Sequence, residues 1–351
     1  MQRLSHLVAL GALTVASLVA GLGAPRAVAD VQLLSAQPAI AVPREAGRFD
    51  YMTVDGQYRR LLAAHTSSND LLVVNMDTGE IERRVRTGAG HGVALDVKHG
   101  KIFVGTEDGI VDVVHRRYLV ENDRISVPGA AGAVTFDPKN DMLYADHSDS
   151  GEVWVIDSRT NKLRGAIEIP KGPEYLEYDP VTDRVYQNVT SVNSVVVIDP
   201  QTNAVSGMWP IAPASDPRGL AIDGAGHRLF SAGSNGKLAV IDMNTGSVLQ
   251  AIDIPPRVDQ IAWDAGLQRL YCASGLGLLA VIGTTSVGFG RLGDVTIPRG
   301  AHTLAVDPKT HNVWVAYGGD NADYVMKFMP PSPSPNPSLP PPAPTPSSTK
   351  M

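Results

Sequence analysis

Seven aspartates divide most of this 351-residue chain into units of nearly equal length. Successive aspartates lie 41 to 44 residues apart, and the segments between them are rich in Val, Ile, Leu, Tyr and Thr, with Gly, Asp-Pro and Asn at the breaks. A period in the low forties built from strand-like segments is typical of β-propeller blades, whereas helical repeats would show a period of about 3.6 residues. The seven positions are Asp55, Asp96, Asp137, Asp179, Asp223, Asp264 and Asp307.

Each unit is predicted to form four strands. The residues one and three positions before the aspartate are apolar in every copy, which indicates a buried first strand. The residue seven positions after it is aromatic in six of the seven copies, Leu62 being the exception, and marks the second strand. Segments such as VVVID, residues 195–199, form the third strand, and a turn leads into the fourth. We interpret the repeated aspartate as a turn residue whose carboxylate caps backbone N–H groups, not as a catalytic group.

The ends of the units indicate how the ring closes. Short segments such as AIEIP, residues 166–170, and AIDIP, residues 251–255, end the fourth strands. A similar segment, AIAVP at residues 39–43, has no unit before it, and the last unit supplies only three strands. The N-terminal strand should therefore complete the last blade, so that no sheet edge stays open. The predicted fold is all-β, a seven-bladed β-propeller of four-stranded blades over residues 30–329.

Two of these patterns resemble a known family. Units such as DPKNDMLY, residues 137–144, and the segment VVVIDPQTN, residues 195–203, are similar to the YVTN-type β-propeller repeat, and within that family to the exported YncE-like proteins. The resemblance covers residues 36–328 and implies a WD40-like fold. It implies less about function, because such propellers include binding proteins, envelope-associated proteins and a minority of enzymes. Four units depart from the pattern by replacing the proline of Asp-Pro with Gly, Val or Ala.

The two ends of the chain differ in composition from the repeats. Residues 1–29 combine a basic start, an apolar run over residues 7–22 and the small-x-small sequence Ala-Val-Ala at 27–29, which is typical of a secretory signal peptide. The apolar run is shorter than a membrane span, so we expect cleavage and export to the periplasm or outside the cell, with an uncleaved anchor as the alternative. Residues 330–351 are rich in Pro and Ser and are predicted to be a disordered tail, either a spacer to the cell envelope or a plain terminus.

Charge and cysteine content exclude several classes of function. Removal of residues 1–29 takes Arg3 and Arg26 and no acid from the 30 basic and 36 acidic residues, and a mildly acidic chain is a poor nucleic-acid binder. Cys272 is the single cysteine, which excludes an intramolecular disulfide, haem attachment and paired-Cys metal motifs. The sequence also lacks a Gly-rich phosphate loop, a His-Glu-x-x-His motif and a Gly-x-Ser-x-Gly elbow. We therefore predict no cofactor, no nucleic-acid partner and no membrane span.

Functional side chains are expected where the repeats differ from one another. The start of the first strand and the end of the second open on the same face of a propeller, and the scaffold does not require the residues there to vary. These positions lie five residues before and ten residues after each repeated aspartate, and four of the nine histidines fall on them. The predicted channel-mouth ring consists of Asp50, His65, His91, His147, Glu174, Arg218, Asp259 and His302.

One part of this ring has the composition of a metal or acid–base site. Ring closure places His302, Asp50 and His91 on three consecutive blades, with His65 on the middle blade. Neutral imidazoles with a carboxylate suit zinc or a similar divalent ion, and a His–Asp pair can orient a general base. The alternative, which we favour, is a hydrogen-bonded polar ring that satisfies backbone groups and water in the channel mouth.

The opposite part of the ring carries charges of both signs. Glu174, Arg218 and Asp259 also fall on three consecutive blades. A guanidinium between two carboxylates favours a charge-compensated network, with anion binding by Arg218 as the alternative.

These observations leave three functional hypotheses. The favoured one is an exported, non-catalytic propeller that binds a small ligand or an envelope protein at its channel-mouth face, with the tail as a tether. The alternative is a metal-dependent hydrolase or lyase, lactonase-like, that uses the cluster of His302, Asp50, His91 and His65. The third is the heavy subunit of a quinoprotein-like dehydrogenase, whose cofactor would come from another chain.

Overall fold

Each repeat forms one antiparallel sheet in the computed structural model, which describes residues 32–43, 47–147, 149–286 and 288–331. In the first six blades four consecutive strands pair in chain order. The first strands of neighbouring blades contact one another around the whole ring, and the first strand of blade 7 contacts that of blade 1. The first strands therefore surround the central channel, and the predicted all-β, seven-bladed fold is confirmed.

The strands are numbered in chain order. Before the repeats lie β1 (Ser35–Ala36) and β2 (Ile40–Val42). Blade 1 contains β3 (Met52–Asp55), β4 (Arg60–His65), β5 (Asp70–Asn75) and β6 (Ile81–Arg86). Blade 2 contains β7 (Gly90–Asp96), β8 (Lys101–Thr106), β9 (Ile110–His115) and β10 (Val120–Ser126). Blade 3 contains β11 (Ala131–Asp137), β12 (Met142–His147), β13 (Glu152–Asp157) and β14 (Lys162–Glu168). Blade 4 contains β15 (Pro173–Asp179), β16 (Arg184–Val189), β17 (Ser194–Asp199) and β18 (Ala204–Pro210). Blade 5 contains β19 (Pro217–Asp223), β20 (Arg228–Gly233), β21 (Lys237–Asp242) and β22 (Val248–Asp253). Blade 6 contains β23 (Val258–Asp264), β24 (Arg269–Ser274), β25 (Leu278–Thr285) and β26 (Gly288–Thr296). Blade 7 contains β27 (Thr303–Val306), β28 (Val313–Gly318) and β29 (Asp323–Met329), and the short 3-10 helices are Thr66–Ser68 and Thr190–Val192.

The N-terminal segment closes the ring. Both β1 and β2 pair antiparallel with β29, the last of the described strands, and supply the outer edge of blade 7. In β2, Val42 lies opposite Asp323 and is fully buried in an apolar cluster that joins blades 1 and 7. The predicted closing strand at residues 39–43 is thus confirmed, and its physical basis is the pairing of an otherwise open edge.

The apolar core lies between neighbouring blades. Phe230 of blade 5, for example, packs in one cluster with Leu270 and Cys272 of blade 6, and all three side chains are fully buried. The aromatic residue of the second strand therefore fills the wedge-shaped space between two sheets. Cys272 is a core residue, as expected, and burial raises the pKa of its thiol.

The repeated aspartates cap turns in all seven blades. Each carboxylate accepts a hydrogen bond from the backbone N–H of a residue two or three positions later, as predicted. Each of the seven aspartates is at least 97 % buried. Four of them also accept a side-chain donor from the next blade. Those pairs are Arg116 with Asp55, Ser158 with Asp96, His311 with Asp264, and Arg59 with Asp307.

Several sequence predictions concern the chain ends. The predicted signal peptide, residues 1–29, and the predicted tail beyond Pro331 lie outside the described residues. Within the described part of the chain, no helix is long and apolar enough to cross a membrane.

Ring closure through β2 generates a stability prediction. Val42→Asp would place a charge in the cluster between blades 1 and 7, and we expect it to lower the free energy of unfolding by about 3 kcal/mol or more. Urea unfolding followed by tryptophan fluorescence measures the change. The control is Val97→Asp on an exposed turn of blade 2. If both variants unfold at the urea midpoint of the unmodified protein, β2 does not hold the ring closed.

Candidate functional site

A polar cavity of about 570 Å³ opens at the channel mouth. Its lining includes the residue five positions before the repeated aspartate in every blade: Asp50, His91, Gly132, Glu174, Arg218, Asp259 and His302. The pairing of the first two strands explains this placement. In blades 2 to 6 the pairing register of the first and second strands shifts at this position, for instance between Ala131 and Val134 of β11. Such a bulge leaves two residues without a partner on the second strand and redirects their side chains.

Six of the eight residues predicted to form the ring line this cavity, whereas His65 and His147 lie elsewhere. Both end a second strand, which stands one strand farther from the channel axis than the first. His147 lies opposite Ala131, its Nδ1 is 2.5 Å from Ser150 Oγ, and its ring stacks on Trp154. The position ten residues after the aspartate therefore supplies loop and blade contacts instead of cavity lining.

His65 connects blade 1 with blade 7. Its Nε2 lies 2.6 Å from Asp323 Oδ2 and its Nδ1 lies 3.3 Å from Asp70 Oδ1, and the imidazole is 1 % exposed. The ring also stacks on Phe49. Because Asp323 belongs to β29, the strand that β2 pairs with, His65 stabilises the closure of the ring.

His91 takes part in an ion-pair chain at the cavity wall. Its Nδ1 makes a short contact with Asp50, its Nε2 lies 3.0 Å from Glu107 Oε1, and Arg48 donates to Asp50 over 3.1 Å. Burial alone would raise the pKa of Asp50, but the hydrogen bond and charge of His91, with the charge of Arg48, hold that pKa below its ordinary value. Burial would lower the pKa of His91, and Asp50 raises it above its ordinary value.

His302 lies apart from this chain. Its Nδ1 is 2.6 Å from the carbonyl oxygen of Gly300, and its Nε2 is 3.7 Å from Asp259 Oδ2. The predicted cluster of three histidines and Asp50 is thus divided among three separate groups. Across the described residues, no three His, Cys, Asp or Glu side chains are arranged to hold a metal ion.

Arg218 is held between two carboxylates, but one of them differs from the prediction. It donates to Glu174 by a short contact and to Asp216 Oδ1 over 3.2 Å, whereas Asp259 acts on it only as a nearby charge. Burial raises the pKa of Glu174 to about 7; Arg218 opposes this shift and the negative charge of Asp259 adds to it. Burial and the charge of Asp50 likewise raise the pKa of Asp259. The guanidinium is charge-compensated, which leaves little of it for an external anion.

Five other charged or aromatic residues of the lining were not predicted from the sequence. Asp146 is 1 % exposed and accepts from the backbone N–H of Ala133 and from Gln187 Nε2. A signal was present, because the residue nine positions after the repeated aspartate is Ala or Gly in five blades, Asp in blade 3 and Asn in blade 4. The residues missed are Arg48, Tyr51, Asp146, Asp216 and Arg257.

Comparison with solved structures shows the fold. The chain is similar to a chain in the structure "Kuenenia stuttgartiensis Hydrazine Synthase", with a TM-score of 0.72 and 15% identity over 83% of this chain and 97% of that one. It is also similar to a chain of the "Mitotic Checkpoint Complex", with a TM-score of 0.72 and 15% identity over 91% of this chain and 99% of that one. The WD40 repeats of RRP9 give a TM-score of 0.71 at 9% identity, over 85% and 99% of the two chains. This protein is a seven-bladed β-propeller.

Two comparisons of the sequence gave no match. No model of a protein family matches the chain, and no curated protein matches its sequence. The structural likenesses, all at 15% identity or below, therefore extend to the fold alone.

The electrostatics of Glu174 generate a prediction about its titration. Because its pKa lies at about 7 and Arg218 lowers it, Arg218→Met should move the midpoint upward. Carbon-13 NMR of the Glu174 carboxyl carbon between pH 5 and pH 9 measures this. Arg159→Met, an exposed position in blade 3, is the control and should leave the midpoint unchanged. A downward shift in Arg218→Met would contradict the described pairing.

Proposed function

We propose that this protein is an exported, non-catalytic β-propeller, YncE-like within the YVTN-type repeat family, that binds a small ligand or an envelope protein at its channel-mouth face. One observation carries the proposal: the variable residue five positions before the repeated aspartate lines a single cavity in all seven blades. The scaffold does not need these side chains to differ. A concave mouth on a rigid ring, in which polar groups from all sides converge, supports ligand binding.

The geometry gives less support to a metal-dependent hydrolase or lyase. The candidate ligands are engaged separately, His65 with Asp323, His91 with Asp50 and His302 with Gly300. A catalytic zinc site needs about three protein ligands around one point. Binding without catalysis therefore remains the function that the described side chains favour.

The proposal includes export and tethering. The composition of residues 1–29 supports cleavage by a signal peptidase, and the Pro-rich residues 330–351 support an extended link between the ring and the envelope. We expect protein recovered from the periplasm or the medium to begin at Asp30, as determined by N-terminal sequencing. Recovery of an intact residue 1 in the membrane fraction would instead indicate an anchor.

A variant pair tests the binding face. Thermal-shift screening of a metabolite library should identify compounds that stabilise the protein, and Glu174→Gln with Asp259→Asn should abolish that stabilisation because both side chains line the mouth. The matched control is Glu168→Gln with Asp253→Asn, which makes the same charge changes on exposed positions of the outer strands β14 and β22. If a compound still stabilises the mouth variant, the mouth is not its binding site. If the unmodified protein turns over a compound and the mouth variant does not, the mouth is catalytic.

A further inference from the structure

The mouth cavity contains more carboxyl groups than guanidinium groups. Among the described residues, five carboxyl groups and three guanidinium groups line it. Arg48 is bonded to Asp50, and Arg218 is bonded to Glu174 and Asp216. Asp146 and Asp259 are left, since neither has a described lysine or arginine within ion-pair distance. Asp259 has only the His302 imidazole, 3.7 Å from its Oδ2, and no described lysine or arginine pairs with either carboxyl group.

These two carboxyl groups lie on opposite sides of the channel. Asp146 is on β12 of blade 3 and Asp259 is on β23 of blade 6, three steps apart around a ring of seven. Asp146 is almost fully buried and has only neutral donors, the backbone N–H of Ala133 at 2.9 Å and Gln187 Nε2 at 3.1 Å. An ionised carboxylate in such a place is costly unless a cation approaches it.

Tyr51 supplies an independent indication of a ligand. It lines the cavity and is 9 % exposed, yet its hydroxyl has no hydrogen-bond partner in the described part of the chain. The hydroxyl is open to the cavity, so a ligand bound there can supply the partner that the protein does not. The ring of Tyr51 packs edge-on against the ring of Tyr175, with 4.8 Å between the ring centroids, and this contact fixes the orientation of Tyr51. Burial, followed by the charges of Asp259, Asp50, Glu174 and Asp146, raises the pKa of Tyr51, so the phenol is neutral and surrounded by carboxyl groups.

The arrangement selects the kind of cation. A divalent metal ion needs several ligands that converge on one point, and no described group of side chains does so. Carboxyl groups spread around a wall suit an organic cation whose charges are separated by a carbon chain. The volume of about 570 Å³ lies within the range of roughly 300–1,000 Å³ found for small-molecule pockets.

We propose that the mouth cavity binds a linear polyamine, with one ammonium group at Asp146, another at Asp259 and Tyr51 as a hydrogen-bond acceptor between them. This inference rests on the proposed binding function of the mouth and adds its ligand class. The aromatic face of Tyr51 also attracts an ammonium group. Arg257, which is exposed and has no ion-pair partner among the described residues, lies at the rim. An anion bound there would meet the carboxyl groups of the wall, which disfavours an anionic ligand.

Cation binding is coupled to proton release. Burial raises the pKa of Asp146, Glu174 and Asp259, and it raises that of Glu174 to about 7. An ammonium group bound beside these carboxyl groups favours their ionised forms and so releases protons. Affinity should therefore rise between pH 6 and pH 8, where the amines stay charged. The charged and titratable groups that face these three carboxyls are Arg48, Asp50, His91, Asp216, Arg218 and His302.

The test is isothermal titration calorimetry of the purified protein with spermidine, in two buffers that differ in ionisation enthalpy. We expect saturable binding with net release of protons, and binding about tenfold weaker or more in Asp146→Asn with Asp259→Asn. Glu168→Gln with Asp253→Asn, which changes the net charge equally on the outer strands, should leave the affinity unchanged. Equal weakening in both double variants would overturn the proposal in favour of bulk charge attraction.

Two further titrations make the outcome independent of folding defects in the double variant. Tyr51→Phe keeps the ring and removes one oxygen, and it should weaken spermidine binding by about three- to tenfold. Ethylamine should bind far more weakly than spermidine, because one ammonium group cannot reach both sides of the channel. Equal affinity for ethylamine, or equally effective competition by magnesium chloride, would overturn the proposal.

The design also separates this inference from the proposed function. Failure of spermidine to bind, while a different compound still stabilises the protein through the mouth residues, would refute the polyamine and leave the binding mouth intact. Binding of sulfate that is lost in Arg257→Gln would assign the opposite ligand charge and refute the polyamine as well.

Discussion

The ring depends on a buried carboxylate that is repeated once per blade. Each repeated aspartate holds the turn between the first two strands by accepting a backbone N–H. In four blades the same side chain also accepts a donor from the neighbouring blade, as Asp307 does from Arg59. One residue type thus fixes the local turn and the packing of adjacent sheets. Because these contacts lie at one end of the blades, the other end is free to vary without loss of the ring.

That freedom is visible at the channel mouth. In blades 2 to 6 a register shift near the start of the first strand directs one side chain into the cavity. The mouth is therefore a ring of seven positions on a nearly symmetric scaffold, and its chemistry is set by which residue each blade places there. Acidic, basic and imidazole side chains occupy six of the seven positions and Gly132 occupies the other. Burial raises the pKa of Glu174 and of Asp259.

The sequence predicted the fold and part of the site, for reasons that can be stated residue by residue. Strand alternation and turn residues are local signals, so the blade count and the closing strand were correct. A position whose residue differs from blade to blade can also be recognised in the sequence, and this variation identified Asp50, Glu174 and the equivalent residues of the other blades. It could not show that His65 faces Asp323 on another blade, because that contact joins residues 258 positions apart. Asp146 was missed because the equivalent residue is Ala or Gly in five blades, a pattern typical of a tightly packed core position.

The closure of blade 7 has a consequence for folding order. Ser35 donates to the carbonyl oxygen of Met329 across a separation of 294 residues. Among the described strands, β1 and β2 pair only with β29. During synthesis β1 and β2 therefore stay without this partner until β29 has left the ribosome. Contacts of such long range carry a large loop-closure entropy and are slow to form. The open ring is thus an obligatory stage before the native state, and a chain that is truncated before Asp323 has no partner for its own beginning.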